Sequence, residues 1–592
     1  MKKQLITYFL LIISTFSFAQ KDHSYALAEN YFRNGEYQKA STLYKKLVNR
    51  NPHNSTYLSK LVNCYQQLNQ FDTAEALIIE KISKKQSLTY LNVLLGYNYE
   101  RQQKNDLATK YYKKAISSLN TKSNYGVTTA NIFKNYNKLD YAIQAYKKVT
   151  EKNENANYSF QIAQIHGEQG DFQFMFDAYI DYLDKNEKLL NNVKRYTSKY
   201  ITDDSENENN ILFKKALLRK SASNPKNIWN DLLAWLFINQ KQYDKAFIQK
   251  KALFNRNPDY LSGIKDLGYL AFENKDYETA KECFSFIKEN TMQPSEKFVA
   301  IHMNLLTDIE TKEENLEQQF QSIFSEYGIN KNTFPIQIAY ADYLTFNKDN
   351  PEKARVILDN ALQYSENRFQ KANVKLKLAD VLVYQGKFNK ALIYYSQIQT
   401  QLTNHYLGQK ARFKVAQTSY FKNDFTWSKA QLKVLKGSAT QLIANDAADL
   451  FLIISDNEPK DSIPSGLGKY AQADLLAFQN KNKESILIIN NILKEHKGQS
   501  IEDEALFKQA GLYLKQQNFK QAISNYENII ALDIQGILVD DSYYKLAELY
   551  NNELNDLEKA SKYYQKIIFD HPSSIYLVDA RKKFRKLRGD SI

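Results

Sequence analysis

Apolar residues recur at helical spacing in paired short runs separated by a polar turn. In the first pair, Leu27, Ala28 and Tyr31 fall on one helical face and residues 34–37 form the turn. The second run repeats this spacing and ends at a proline, its marker residues being Ala40, Tyr44, Leu47 and Pro52. This spacing predicts two amphipathic helices joined by a short turn.

The same frame recurs 34 residues later and then 34 residues after that. Its apolar positions in those two units are Leu61, Tyr65, Ala74 and Ile78, then Leu95, Gly96, Tyr99, Ala108, Tyr112 and Ala115. Further units follow to the end of the chain, about a dozen in all and about eight of them regular, while residues 190–225 are helical but off-frame. Unrelated helical hairpins are the alternative, and so many units in one frame argue against them.

A 34-residue helix–turn–helix unit with small residues where its helices cross resembles the tetratricopeptide repeat (TPR). Neither helix of such a pair can bury its apolar face alone, so stacked neighbours must cover it. The resemblance implies an all-α TPR α-solenoid, a right-handed superhelix of antiparallel helix pairs. We expect these segments: 1–19 signal peptide; 20–188 N-terminal repeats; 189–334 divergent helical pairs and repeats; 335–455 middle repeats; 456–468 linker; 469–576 C-terminal repeats; 577–592 basic capping helix and tail.

The C-terminal part resembles a narrower group. Residues 571–574 (HPSS) close a repeat, and residues 578–581 (VDAR) open the next helix. This arrangement is similar to the envelope TPR proteins of the BamD and YbgF type, and residues 413–455 look like a long TPR protein of Bacteroidetes type. The resemblance implies a role in the cell envelope.

Composition supports helices and excludes several other classes. The chain holds 17 Gly and 9 Pro among 592 residues, too few for folds rich in tight β-turns or Gly-rich phosphate loops. The formal net charge is +14, but only 12 of the 80 basic residues are Arg. The Lys residues lie beside Glu and Asp along the chain, as on solvated helix faces. Because phosphate and base recognition favour Arg, we expect no nucleic-acid binding.

The N-terminus has the order of a Sec signal peptide. Lys2 and Lys3 precede the apolar run 5–18, and residues 17–19 (SFA) form a small-x-small cleavage site. No Cys follows that site, and no later apolar run approaches the roughly 20 residues of a spanning helix. We therefore expect a soluble periplasmic protein that is not a lipoprotein. Cys64 and Cys283 are expected to be buried thiols, with a disulfide between them as the alternative.

No catalytic motif occurs in the sequence. It lacks G-x-S-x-G, Walker A, G-x-G-x-x-G and H-E-x-x-H, and its seven His residues form no helical metal pair. We expect no enzymatic activity, no cofactor and no metal.

Surface recognition is the remaining function. In the TPR family the inner face is formed by the first helix of each pair, which gives a candidate protein-binding groove made of Tyr25, Glu29, Asn63, Tyr97, Arg101, Trp235, Tyr269, Phe272, Tyr343, Phe346 and Tyr420. Such aromatic residues suit peptide docking. Packing between repeats is the alternative role for each ring.

The last predicted helix is strongly basic. It is expected to cap the solenoid with an apolar stripe and a polar outer face. Its candidate docking residues, suited to an acidic protein partner or to peripheral association with an anionic membrane, are Lys582, Lys583, Lys586 and Arg588.

The sequence thus predicts an exported scaffold for protein partners, expected to be envelope proteins, in an assembly, secretion or gliding machinery. An accessory protein that binds polysaccharide or peptidoglycan is the alternative, because aromatic residues also stack on sugars.

Overall fold

The structure, a computed structural model, describes residues 23–84, 88–119, 125–152, 158–437, 441–458, 465–533 and 536–590. Within these ranges the chain forms 32 α-helices and no strand. The expected signal peptide lies outside the described residues, as do residues 459–464 of the expected linker. The helices divide between two compact units, residues 1–240 and 241–592.

Unit 1 is a row of helix pairs in which a first helix, here called A, packs on the following helix, called B. The A helices are α1, α3, α5, α7 and α9. The helices of the unit are α1 His23–Arg33, α2 Tyr37–Arg50, α3 Ser55–Gln67, α4 Phe71–Lys84, α5 Tyr90–Arg101, α6 Asn105–Ser117, α7 Gly126–Asn135, α8 Leu139–Lys152, α9 Ser159–Gln169, α10 Phe172–Lys185, α11 Leu190–Thr197, α12 Glu208–Ser223 and α13 Asn227–Asn239.

Unit 2 continues the helix-pair architecture with longer repeats. Its helices are α14 Tyr243–Arg256, α15 Leu261–Glu273, α16 Tyr277–Asn290, α17 Pro294–Glu310, α18 Leu316–Tyr327, α19 Phe334–Phe346, α20 Pro351–Gln363, α21 Arg368–Tyr384, α22 Phe388–Gln401, α23 Tyr406–Phe421, α24 Phe425–Leu435, α25 Gln441–Asp456, α26 Leu467–Phe478, α27 Asn482–Glu495, α28 Ile501–Lys515, α29 Phe519–Leu532, α30 Val539–Asn552, α31 Leu557–Asp570 and α32 Leu577–Arg588. Helices α15 to α24 form five successive A–B pairs, and α26 to α31 form three more. Helix α25 lies between the two groups and belongs to neither.

The turn between helices A and B places one residue in the left-handed region, and these residues measure the repeat. In unit 1 they are Gly35, Asn69, Gln103 and Asn137, each 34 residues after the last, and then Gly170, 33 residues later. In unit 2 the first step, from Lys241 to Lys275, is 34 residues, and the next four, through Lys312, Asp349, Gly386 and Asn423, are 37 residues each. The expected 34-residue period is therefore wrong for most of unit 2. The extra residues lengthen A helices such as α17 and α21, each of 17 residues.

Small side chains let helices A and B approach closely. Ala74 and Ala280 are fully buried, and a Cβ on Gly96 would lie 2.6 Å from the ring of Tyr112. Cys64, in unit 1, and Cys283, in unit 2, are both buried free thiols.

Candidate functional site

The first two predicted groove residues join helices within unit 1. Glu29 accepts hydrogen bonds from the Tyr44 hydroxyl at 2.8 Å and from Lys60 Nζ at 3.0 Å. Burial opposes the charge of Glu29, but these bonds outweigh it and hold the pKa of Glu29 below its usual value. The ring of Tyr25 lies 5.4 Å from that of Tyr57. Both side chains thus connect α1 to α2 and α3.

The next predicted residues meet at Tyr136, which the sequence did not single out. The Tyr97 ring stacks on Tyr136 at 3.9 Å, and the Tyr136 hydroxyl donates to Asn63 Oδ1. Burial and the neighbouring Tyr97 raise the pKa of the Tyr136 hydroxyl well above its usual range. Arg101 is exposed at the end of α5. Arg101 is therefore the most exposed residue of this set.

Three further predicted rings lie at the edge of the core. In unit 1, Trp235 is half-buried, and its ring centroid lies 6.5 Å from that of Phe213 in a T-shaped arrangement. In unit 2, Tyr269 lies 5.2 Å from Phe284 and Phe272 lies 5.6 Å from Tyr277. Tyr269 keeps 37% of its surface exposed and is the most open of the three.

The last three predicted rings are covered by neighbouring helices. Tyr343 and Tyr420 are buried, and the Tyr420 hydroxyl donates to Asp474 at 2.9 Å. Phe346 lies between Tyr384 at 5.6 Å and Phe478 at 5.4 Å. Tyr343 and Tyr420 therefore lie in the interior of unit 2, whereas Phe346 is half-buried. Helix α26 contacts Tyr420 through Asp474 and Phe346 through Phe478.

A ladder of ion pairs between successive A helices was not predicted. In each pair a Lys lies 31 to 35 residues after its carboxylate. The pairs are Lys60–Glu29, Lys377–Asp342, Lys414–Asp380, Lys508–Asp474 and Lys583–Glu548. These Lys residues hold repeats together, so the expectation that Lys only covers solvated faces is incomplete. The sequence signal is an acidic residue followed by Lys one repeat later.

Tyrosines of the same repeats complete the ladder. The Tyr395 hydroxyl donates to Asp380 Oδ1 at 2.6 Å, and Tyr564 donates to Glu548. Burial, with the nearby Asp380, raises the pKa of Tyr395 well above its usual range. Each such tyrosine stays protonated and keeps its donor.

The basic residues of α32 divide into two groups. Lys583 binds inward, to Glu548 at 2.7 Å and Asp579 at 2.9 Å. Lys582 and Arg588 line a cavity of about 520 Å³ together with Ile568, Val578, Arg581, Phe584 and Arg585, while Lys586 is exposed beside it. Val578 is 78% exposed, so the outer face of α32 is both basic and apolar and not simply polar as expected.

Within the described ranges, no three His, Cys, Asp or Glu side chains are placed to hold a metal ion. Over the same ranges, every helix is too short or too polar to cross a bilayer.

Comparisons with known proteins identify the repeats. Family models described as tetratricopeptide repeat match residues 31–83, 90–118, 504–533 and 541–574. No curated protein matches the sequence. Among solved structures, that of Naa15/Naa10 bound to HypK-THB aligns at 12% identity, covering 96% of both chains with a TM-score of 0.27. That of the APC/C hetero-tetramer Cut9–Hcn1 aligns at 13% identity, covering 97% of this chain and 98% of the other, with a TM-score of 0.24.

The chain contains TPR repeats in both units, and the all-α TPR solenoid predicted from the sequence is confirmed. TM-scores this low carry no argument of their own, so this conclusion rests on the family models and on the helix pairs.

Proposed function

We propose that the protein is an exported TPR scaffold that binds protein partners in the cell envelope, as part of an assembly, secretion or gliding machinery. TPR repeats imply a protein–protein interaction scaffold. The signal-peptide pattern and the resemblance of the C-terminal part to BamD and YbgF-like proteins support the envelope. The observation that carries the proposal is the outer face of α32.

That face combines the two features of a docking surface. Val578 and Phe584 supply apolar area, and Arg581, Arg585 and Arg588 surround it, the last two also paired with Asp590 of the same chain. Arg is enriched at protein interfaces because its planar group both stacks and forms two hydrogen bonds to a carboxylate. The expected partner is an acidic protein segment with apolar side chains.

The covered aromatic rings bear on the polysaccharide alternative. Sugars stack on open ring faces, whereas one face of Tyr97 is covered by Tyr136, and Phe346 makes T-shaped contacts with Tyr384 and Phe478. We therefore keep protein binding as the proposed function and let the experiment measure glycan binding beside it.

Charge reversal on α32 tests the proposal. The variant K582E/K586E/R588E leaves the inward Lys583 intact, and K45E/K46E/R50E on α2 makes the same net change on exposed residues elsewhere. Affinity capture from the native envelope should recover a defined set of proteins with the wild type and the α2 control, but not with the α32 variant.

Equal capture by both variants would exclude α32 as the docking face. Binding to a glycan array with no protein capture would favour the polysaccharide alternative. Binding to anionic vesicles that the α32 substitutions abolish would assign the face to the membrane.

A further inference from the structure

We propose that unit 2 holds a second binding site of opposite charge: a cleft between α25, the start of α28 and the start of α30 that takes a basic, partly apolar peptide segment of a partner protein. This inference does not depend on the proposed docking face of α32. It is named here the acidic cleft and is defined by the residues around a cavity of about 820 Å³.

The floor and walls of the acidic cleft are apolar. They consist of Leu452, Ile453, Phe507, Leu532, Ile537 and Leu538. Ile537 is 72% exposed and Leu532 is 47% exposed, so this surface is open to a ligand. The volume lies within the range of small-ligand and side-chain pockets in proteins, roughly 300–1,000 Å³.

Seven acidic residues share the acidic cleft with these apolar side chains. They are Asp449, Asp456, Glu502, Asp503, Glu504, Asp533 and Asp541. Among the described residues that line it, none is Lys, Arg or His. The whole chain carries a formal charge of +14, so this cleft is a local reversal of sign that selects for positive ligands.

Some of these carboxylates are already bound within the protein. Glu502 accepts the backbone N–H of Gly498 at 2.6 Å, and Asp541 accepts the Tyr576 hydroxyl at 2.7 Å. Others are not: Asp449 and Asp456 are exposed on α25. These two are the carboxylates best placed to meet a ligand without disturbing the fold.

Two acidic side chains of the acidic cleft are partly buried and lack a basic neighbour among the residues that line it. Oε2 of Glu504 is buried without a hydrogen-bond partner in the described part of the chain. Burial, then the neighbouring Asp503, raises the pKa of Glu504 to about 9. Burial, the adjacent Asp540 and, across the cleft, Asp449 also raise the pKa of Asp541, despite its bond to Tyr576. A cationic ligand would lower this repulsion.

The ligand class follows from how the charges are spread. Within the described ranges no three of these carboxylates converge as metal ligands do. Lys and Arg side chains instead have an apolar stem and a charged head, which match an apolar floor with an acidic rim. A peptide that carries Lys or Arg between apolar residues therefore fits the acidic cleft better than a single ion.

The test uses isothermal titration of the full chain with four synthetic nonapeptides. One alternates Leu and Lys; the others replace Lys by Gln, Lys by Glu, or Leu by Ser. The Leu–Lys peptide should bind one site saturably and less tightly at high salt. The Gln and Glu peptides should not bind, and the Ser peptide should bind more weakly.

Paired variants locate the binding. D449N/D456N removes two exposed carboxylates of the acidic cleft, and E484Q/E558Q removes two exposed carboxylates of unit 2 that do not line it. The first variant should weaken binding roughly 3- to 10-fold, while the control should keep wild-type affinity. Circular dichroism and melting temperature confirm that both remain folded.

Three results would overturn the inference: no binding of the Leu–Lys peptide, equal loss in both variants, or equal binding of the Ser peptide. The last would mean that the acidic cleft takes positive charge alone. The α32 variant K582E/K586E/R588E should bind the Leu–Lys peptide like the wild type, so failure of the docking-face proposal and failure of this one give different results.

Discussion

At the scale of single residues, tyrosines do two tasks in the repeats. Their rings fill space between helices, and their hydroxyls hold buried carboxylates in place. Tyr395 shows both: it is fully buried, and its hydroxyl donates to Asp380 Oδ1 at 2.6 Å. Phe would fill the same volume but would remove this bond, and among the described residues Asp380 would keep its ion pair with Lys414, 3.7 Å away.

Removing that hydroxyl should destabilise the protein. We expect Y395F to lower the free energy of unfolding by about 1–3 kcal/mol, because a buried carboxylate loses a hydrogen bond. The neighbouring Tyr394 is half-buried, and Y394F should change the free energy of unfolding by less than about 0.5 kcal/mol. Urea unfolding measures both. Equal effects would mean that the Tyr395–Asp380 bond contributes nothing specific.

Glu504 should make stability depend on pH. Its folded pKa of about 9 lies above its ordinary value of 4.5, so between these values the folded state holds one more proton than the unfolded state. The free energy of unfolding that Glu504 contributes therefore falls as pH rises through this range, by up to about 1.4 kcal/mol per pH unit. The melting temperature of E504Q should fall less than that of the wild type from pH 6 to pH 9. Parallel curves would show that Glu504 titrates normally.

Two glycines should respond oppositely to the same substitution. In G96A the new Cβ would lie 2.6 Å from the Tyr112 ring, which its bond to Glu100 holds in place. We expect G96A to lower the free energy of unfolding by about 1–3 kcal/mol. Gly511 lies inside α28 with nothing within 4 Å of a Cβ, so G511A should be neutral or stabilising by up to about 1 kcal/mol. Urea unfolding of the two variants checks the signs, and a loss in G511A would contradict this account.

At the scale of elements, helix α32 has an inner and an outer face with different functions. Lys583 faces inward and contacts Glu548, Asp579 and the Tyr544 hydroxyl. Burial lowers the pKa of Lys583, but these partners outweigh it and raise the pKa above its usual range. Lys586, one turn later, is exposed. The contacts that each side chain makes, not its charge, therefore separate the residue that anchors the helix from those that can dock a partner.

Alanine at these two positions should show the difference. We expect K583A to lower the free energy of local unfolding of α32 by about 1–2 kcal/mol, because Glu548 and Asp579 lose their shared cation. K586A should change the same quantity by less than about 0.5 kcal/mol. Hydrogen exchange of peptides covering residues 577–588 measures it. Faster exchange in K586A than in K583A would reverse the assignment of faces.

At the scale of the whole molecule, stability in a stack of repeats is a sum of local terms. A defect in one repeat should therefore stay close to that repeat. In G96A we expect faster hydrogen exchange in residues 90–117 and the adjoining helices of unit 1. Peptides from residues 501–570 of unit 2 should exchange as in the wild type. Loss of protection throughout the chain would show that the two units unfold as one.

Export is also a property of the whole molecule. The residues from Lys2 to Ala19 predict cleavage before Gln20 and release into the periplasm. Mass spectrometry of the N-terminal peptide from cell fractions measures this. An intact Met1 in a cytoplasmic fraction would contradict the proposed location.

The sequence alone determined the helix pairs, their repetition and their small residues at helix crossings. These features depend on local periodicity: Ala74 and Gly96 occur where the two helices of one repeat cross, and the turn between those helices is a few residues long. A pattern confined to one repeat can be recognised from the sequence without knowing how the adjacent repeats pack. For this reason the TPR solenoid was predictable, although the 37-residue spacing in unit 2 was not.

Only the tertiary structure decided which side chains remain open. Tyr420 and Phe346 have the spacing of groove residues, yet α26 covers them from more than 50 positions away along the chain. The acidic cleft likewise joins Asp449 to Asp541, which no helical period relates. Exposure and charge clustering depend on how successive repeats stack, which the periodicity within one repeat does not specify. These long-range positions place the carboxylates of the acidic cleft together.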